Sequence, residues 1–331
     1  MPVNDLDKLF DGFSKIKIGV IGDVMLDTYW WGKVDRISPE APVPVVSVTK
    51  REHRIGGAGN VALNLRGLGA AVSIISVLGN DGDGSQLTEL LNRQGIQTEY
   101  LVESDERVTT NKIRIISRNQ HMMRLDAEIT TMLSAADEKK LLFSFEQYLD
   151  TEKPGLVILE DYNKGVLTET AIGTIISLCK SRQVLTSVDP KRKNFFAYKQ
   201  VDIFKPNLHE AKEALNILAE DLTPHLLEQI HTDLFAQLHH DVSFITLSEK
   251  GVYYQDADEK ALIPTHIRSV ADVSGAGDTV IAVASLVFAA TGNKKLMAEI
   301  ANIAGGLVCE EVGTVAVDKA RLLEECKKLL H

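Results

Sequence analysis

Six short apolar runs rich in β-branched residues recur along the chain between longer helical patterns, and this alternation constrains the fold more than any other feature. It predicts strands over Ile16–Ile21, Val72–Leu78, Leu156–Leu159, Val184–Val188, Asp202–Phe204 and Ser243–Leu247. Short apolar strands joined by helical crossovers are the signature of a parallel sheet, hence of an α/β fold. Each run stops at or just before a glycine or polar residue: Gly22-Asp23, Gly79, Glu160-Asp161, Asp189, Asn207 and Ser248. Ligands of open α/β sheets bind outside the carboxyl ends of the strands, so these residues are expected along one rim.

Two stretches in the first half break the rhythm. Thr28–Arg54 contains Ser38-Pro39-Glu40-Ala41-Pro42-Val43-Pro44, which proline bars from a helix. Tyr100–Arg124 includes Asn111-Lys112-Ile113-Arg114-Ile115, the period-two alternation of a strand with one wet face. Together they predict a small antiparallel flap standing off the main sheet, its apolar face covered by a second copy of itself in a homodimer. No internal repeat, low-complexity segment or flexible linker divides the chain, and Thr151–Gly155 offers only a turn. Residues 1–331 are therefore expected to form one domain, with lid segments at about 28–54 and 100–124.

With 331 residues, 44% of them hydrophobic, the chain can bury a sizeable core. A formal charge of −10 gives no basic face for nucleic acid or an anionic membrane, and it requires any anionic substrate to be held by a local basic cluster. Met1–Gly12 is polar and acidic, unlike a secretory leader. The longest apolar run, Val280–Ala290, is interrupted by Ser285 and fits a buried helix better than a membrane span. Cys179, Cys309 and Cys326 are odd in number and not spaced as metal ligands, so a reduced, cytoplasmic setting is expected.

The strongest chemical signal is Asp272-Val273-Ser274-Gly275-Ala276-Gly277-Asp278-Thr279, followed at once by the apolar helix. Glycines ahead of a helix let backbone N–H groups converge on an anion, which the helix dipole also attracts. Asp278, in the first turn, is placed either to accept a proton from an attacking hydroxyl or merely to cap the helix. A second cluster, Ile55-Gly56-Gly57-Ala58-Gly59-Asn60, opens the helical pattern Val61–Leu68. It either brings a sugar close to the backbone, with Asn60 serving hydroxyls, or allows close packing at a helix start. Gly57-x-Gly59-x-x-Ala62 satisfies a relaxed dinucleotide fingerprint, but the match is weak, because Lys50-Arg51-Glu52-His53-Arg54 is too charged for the buried strand that motif requires. Asp23 and Asp27 read as hydroxyl acceptors or as turn residues. Asn207 and Glu210, three apart at a strand-to-helix junction, form either a capping box or a pair that positions Mg2+ waters and nucleotide phosphates. Lys112, Arg114, Arg118 and Arg124 bunch basic charge in the predicted flap, for phosphate or as a solvated face.

The Gly56-Gly57 cluster, Asn207-x-x-Glu210 and Gly275-Ala276-Gly277-Asp278, in that order, resemble the PfkB or ribokinase-like carbohydrate kinase family over essentially the whole chain. The resemblance implies a ribokinase-like three-layer sandwich: a central, mainly parallel sheet between helices, with a small β-sheet lid. It implies that Gly275, Ala276 and Gly277 form an anion hole and that Asp278 is the catalytic base. Asp27, Gly56, Gly57 and Asn60 then serve the sugar, while Asn207 and Glu210 position Mg·ATP, Glu210 through water. A sugar-sensing, non-catalytic relative is the rival reading, and the presence of Asp278 argues against it.

Further stretches are similar to the branch of this family that acts on D-glycero-β-D-manno-heptose 7-phosphate: Gly22-Asp23-Val24-Met25-Leu26-Asp27, the segment from Arg36 to Val46, Ser117-Arg118-Asn119-Gln120 and Arg124-Leu125-Asp126. That likeness implies phosphorylation of the anomeric hydroxyl to the 1,7-bisphosphate, on the route to ADP-heptose for lipopolysaccharide; another sugar or nucleoside kinase is the alternative. It adds Asp161, in Asp161-Tyr162-Asn163-Lys164-Gly165, together with Lys112 and Arg118 on the substrate side. Lys191, in Asp189-Pro190-Lys191, joins Ser248, Gly251 and Asn302 on the nucleotide side. ATP and Mg2+ are the implied cofactors, with a monovalent cation as an option. Ser274 replaces a usual threonine and keeps its hydroxyl, and His209 replaces a commoner small polar residue. The branch is often fused to a nucleotidyltransferase whose His-x-Gly-His signature does not occur here, so a separate nucleotidyltransferase is expected.

Overall fold

The structure is a computed structural model and describes residues 5–118, 120–219, 221–266 and 268–330. In chain order its strands are β1 (Lys17–Gly22), β2 (Val24–Ile37), β3 (Pro44–Gly57), β4 (Ala71–Gly79), β5 (Leu101–Ser104), β6 (Asn111–Ser117), β7 (Gln120–Ala127), β8 (Leu156–Glu160), β9 (Leu185–Asp189), β10 (Ile203–Phe204), β11 (Val242–Thr246), β12 (Val252–Gln255) and β13 (Lys260–Ile263). The helices are α1 (Leu6–Gly12), α2 (Ala58–Gly67), α3 (Gly82–Arg93), α4 (Ala135–Glu152), α5 (Glu169–Ser181), α6 (Leu208–Ala214), α7 (Pro224–Leu238), α8 (Ala276–Thr291), α9 (Lys294–Val308) and α10 (Lys319–Leu329).

Each of the six predicted buried strands is present, within one residue at either end. They lie in a nine-stranded sheet ordered β13-β12-β11-β10-β9-β8-β1-β4-β5. Neighbours from β11 to β5 run parallel, and β12 and β13 extend the edge antiparallel. Along β8, Leu156 and Ile158 enter a core shared with α2, α8 and α9, while Val157 and Leu159 enter one shared with α4, α5 and α7. Successive side chains of a strand point to opposite faces, so a continuous apolar run feeds both cores and yields three layers. The ribokinase-like sandwich is the result.

α8 is buried on all sides from Asp278 to Val287, and the Ser285 hydroxyl pairs with Ser187 of β9 at 2.6 Å. The apolar run is thus a core helix, and among the described residues no helix is long and apolar enough to cross a membrane. All three cysteines are free thiols, Cys179 and Cys326 buried and Cys309 partly so.

The lid is a separate four-stranded sheet, ordered β3-β2-β6-β7. Its two hairpins are antiparallel, but β2 and β6 run parallel, with Leu26 beside Asn111 and Gly32 beside Ser117. The flap expected to be antiparallel is therefore mixed. The chain leaves through α2, β4, α3 and β5 before returning, and a connection of that length permits a parallel partner where a tight turn does not. Leu101–Ser104 also belongs to the main sheet, so the second lid segment starts at Asn111 rather than at Tyr100. Asn119 lies outside the described residues. Because cross-strand partners share a face, Asp27, Lys112, Tyr29 and Arg114 lie on one side, and Trp30, Ile113, Ile115, Met123 and Leu125 on the other.

Candidate active site

The two glycine motifs meet at one carboxylate. β3 ends at Gly57, whose φ of 59° is a left-handed value that side chains resist, and α2 begins at the next residue. α8 begins in the same way from Gly275, at φ 78°, where a Cβ would come within 2.9 Å of Asn60 Nδ2. This close approach packs α2 against α8. Asn60 Nδ2 then donates to Asp278 Oδ2 at 2.7 Å across 218 residues of sequence. Asn64 reinforces the joint: its Nδ2 donates to the Asn60 carbonyl at 2.9 Å, and its Oδ1 accepts from the Thr279 hydroxyl at 3.0 Å. On the opposite side the Tyr162 hydroxyl donates to Asp278 Oδ1 at 2.6 Å.

Beside Asp278 opens a cavity of about 150 Å³, walled by Gly275, Gly277 and the carboxyl ends of β9, β10 and β11. It accommodates a phosphoryl-sized group. Lys205 Nζ lies 2.8 Å from Asp189 Oδ2, and Lys191 Nζ lies 2.7 Å from Glu210 and 3.3 Å from Asp189. Asn207 and Glu210 do form a capping box, each accepting the other's backbone N–H at 2.8 Å, and both still face the cavity, so capping and lining coexist. A helix's first N–H groups have no partner within the helix. At α8 those of Gly277 and Asp278 find no backbone acceptor among the described residues, and both residues line the cavity with Lys191 and Lys205.

Charge in this pocket is set by burial against neighbours. Burial pushes the Asp278 carboxyl up to about 6, opposed by the Tyr162 and Asn60 donors and by Lys205, and aided by Asp189. Glu160 is fully buried, one of its oxygens lies within 4.8 Å of an oxygen of Asp189 and one of Asp278, and neither of its oxygens finds a hydrogen-bond partner among the described residues. Burial first, then Asp189 and Asp278, raises Glu160 well above the carboxylate range. Burial acts upward on Asp189 as well, but Lys205 and Lys191 outweigh it and hold that carboxyl low. Burial would lower Lys191, yet Asp189 and Glu210 keep it above its ordinary value. The arrangement can hold an oxyanion against amides and ammonium groups while a raised carboxylate next to it accepts a proton.

On the lid side, buried Asp27 pairs with Arg114 at 2.5 Å. Lys112 Nζ stands 5.5 Å from the centre of the Tyr162 ring and makes no ion pair among the described residues. Burial pulls its pKa down, with Asp27 opposing and Lys164 and Arg114 adding.

Of the expected residues, Gly275, Gly277, Asp278, Lys191, Asn207 and Glu210 line the cavity, Asn60 reaches Asp278 from α2, Gly56 lies against Asp27, and Lys112 approaches Tyr162; Ala276 opens α8 and Gly57 precedes α2. Asp161 points into the interior, accepting from Tyr198 at 2.7 Å and from the Asn163 backbone at 2.7 Å. That corrects its placement on the substrate side, because these bonds fix the loop instead. Arg118 is exposed in the β6–β7 turn at φ 50°, away from the cavity. Ser248 and Gly251 lie in the β11–β12 turn, and Asn302 binds the Pro264 carbonyl at 2.8 Å; none of the three lines the cavity. Asp23 accepts three backbone N–H bonds and serves the loop rather than a sugar. Sequence reasoning placed Glu160 and Asp189 on the ligand rim without a role there, and it missed Tyr162 and Lys205. Lys205 stands beside a predicted strand end, which was the available signal; Tyr162 had only its place in the stretch from Asp161 to Gly165.

The pfkB family carbohydrate kinase profile matches residues 15–320. Bifunctional protein HldE of Geobacter sulfurreducens is 37% identical over 332 residues, covering 98% of this chain and 65% of that protein. The chain thus spans just under two thirds of the length of that curated relative. In three dimensions it is similar to Escherichia coli phosphofructokinase-2 in complex with potassium (TM-score 0.78, 18% identity, 95% of this chain and 98% of that one). It is also similar to Arabidopsis thaliana ribokinase complexed with ribose and ATP (TM-score 0.73, 16% identity, 95% and 99% coverage). These two likenesses concern the fold, whereas the profile match runs through both glycine motifs and the carboxylate they enclose. The chain belongs to the pfkB family of carbohydrate kinases.

Proposed function

We propose that this chain transfers the γ-phosphoryl group of ATP to the anomeric hydroxyl of D-glycero-β-D-manno-heptose 7-phosphate, giving the 1,7-bisphosphate. The observation that carries the kinase reading is the buried Asp278 carboxylate, held by Asn60 and Tyr162 at the open start of α8 and next to two lysines. Phosphoryl transfer has a loose transition state, so catalysis consists mostly of positioning and charge stabilisation. In this reading the γ-phosphate rests on the amides from Gly275 to Gly277, flanked by Lys205 and Lys191. Asp278 accepts the hydroxyl proton, and Asp27 and the Gly56-Gly57 backbone face the sugar beneath the lid. Ser248, Gly251 and Asn302 are left to the nucleoside end, along the β11–β12 edge.

Mg2+ takes hard oxygen ligands and keeps much of its water shell. Glu210 fits that role through water, since its carboxylate lines the cavity; bound with ATP, the ion would neutralise charge developing on the phosphates. One fold neighbour was solved with potassium, so a monovalent-cation dependence is included in the proposal.

The phosphorylated substrate is supported by Lys112, a partly buried cation with no ion-pair partner among the described residues, which approaches the Tyr162 ring in an acidic protein. Lys112 replaces Arg118 as the leading contact for the distal phosphate. The heptose assignment itself rests on the motif resemblance and on relatives named bifunctional HldE. A nucleotidyltransferase is the proposed consumer of the product.

Asp278→Asn tests the reading. It should lower kcat by about 10² or more with ATP affinity largely kept. Near-normal turnover in that variant would remove Asp278 from the mechanism.

A further inference from the structure

Both oxygens of Asp278 are already hydrogen-bonded, and the two donors differ in what else they do. Asn60 sits where α2 joins α8, so its bond also holds the fold together. Tyr162 comes from a loop that is fixed without its hydroxyl. Asp23 accepts the backbone N–H groups of Tyr162, Lys164 and Val166 at 2.8, 3.0 and 3.1 Å. Arg107 donates to the Lys164 carbonyl, and Asp161 is bound by Tyr198. A phenol delivered to the base by a loop that does not need it for anchorage calls for another role.

Its surroundings indicate one. The ring lies between two ammonium groups, Lys112 at 5.5 Å from the lid and Lys191 at 5.8 Å from the loop after β9. Tyr162 therefore stands at the seam between the sugar side and the nucleotide side, touching the group that must act on both. Resting on the reading of Asp278 as the base, we propose that Tyr162 is a positioning residue for the phosphoryl transfer, its hydroxyl keeping the Asp278 carboxylate ionised and turned toward the incoming hydroxyl.

The titratable groups facing Asp278 are Glu160 from β8, Asp189 from β9, Lys205 after β10 and Lys191 beyond β9; α2 presents only neutral Asn60. Burial and the Asp189 carboxylate oppose ionisation, Lys205 favours it, and the Tyr162 hydroxyl is the foremost donor working against burial. Removing that donor should make the carboxylate harder to ionise. The acid limb of activity must then move to higher pH.

The experiment compares the kcat–pH profiles of wild type, Tyr162→Phe and Tyr162→Gln with ATP and the phosphosugar saturating, with ATP affinity measured by calorimetry. Tyr162→Phe is expected to shift the acid limb upward by about one pH unit, lowering kcat about fivefold near pH 6, close to tenfold near pH 5 and much less above pH 8, with ATP affinity kept. Tyr162→Gln keeps a donor and should hold the limb near its wild-type position, even if the sugar KM rises. An unmoved limb in Tyr162→Phe, or equal shifts in both variants, would overturn the proposal. Asp278→Asn run in parallel separates the two claims: if it keeps turnover, the base reading fails, and if it is inactive while Tyr162→Phe titrates like wild type, only the role of Tyr162 fails.

Discussion

Asp278 unites two properties that usually conflict, deep burial and a need to be ionised. Burial lifts its carboxyl from an ordinary 3.8 to about 6. A base must be deprotonated, so kcat/KM should be flat above that value and fall tenfold per pH unit below about pH 6. A pH profile whose acid limb lies near pH 4 would contradict the burial argument. The same shift has a sign for stability: a carboxyl whose pKa is raised by folding destabilises the native state once ionised, by about 3 kcal/mol at pH 7 for a shift of this size. Asp278→Asn should therefore melt no lower than wild type although it is inactive, and a midpoint several degrees lower would show that the ionised group holds the fold. At this scale the sequence spoke unevenly. Gly275, Gly277 and Asp278 declared themselves because glycines before an apolar helix have few other uses. Asp161 came from the likeness of the stretch from Asp161 to Gly165, whereas only the packed loop shows that its neighbour Tyr162 is the one that reaches Asp278.

The elements carry two further expectations. β6 presents Lys112 to the site and Ile113 to the opposite face, as strand alternation requires. Lys112→Ala should raise KM for a phosphorylated sugar roughly thirtyfold, about 2 kcal/mol, with little change for ATP; an equal loss with the unphosphorylated sugar would show that Lys112 does not read the phosphate. Away from the site, the Ser243 hydroxyl of β11 meets His231 Nδ1 at 2.9 Å and His240 Nε2 at 2.6 Å. His240 is fully buried, and burial, with His231 and His239 beside it, pulls its pKa down to about 3. A histidine kept neutral by folding contributes stability that is complete above its unfolded pKa near 6.5 and is lost as pH falls below it. Urea unfolding at pH 6.5 and pH 5 should thus show wild type losing about 2 kcal/mol more than His240→Gln over that interval; identical slopes in the two proteins would contradict this. The six core strands were legible because burial on both faces leaves a continuous apolar run. The parallel seam of the lid was not, since alternation reveals a strand's faces but not the direction of a partner that lies beyond α2, β4, α3 and β5.

For the molecule as a whole, the outer face of the lid is an exposed apolar surface, with Met123 57% and Leu125 43% exposed beside half-buried Ile113 and Ile115. Such a face on an acidic protein favours a two-fold pairing of lids. Sedimentation should report a dimer at micromolar concentration, shifted toward monomer by Leu125→Glu; a wild-type monomer would reject the pairing. The two glycine motifs, the lysines beyond the sheet rim and the lid all serve one claim, that this chain phosphorylates an already phosphorylated sugar. That claim is tested most directly by ATP consumption over free and phosphorylated sugars, in potassium and in sodium, with the product identified by mass. The expected result is that D-glycero-β-D-manno-heptose 7-phosphate yields a bisphosphate with far higher kcat/KM than the free heptose. Equal use of the two, or no ATP consumption with any sugar, would contradict it.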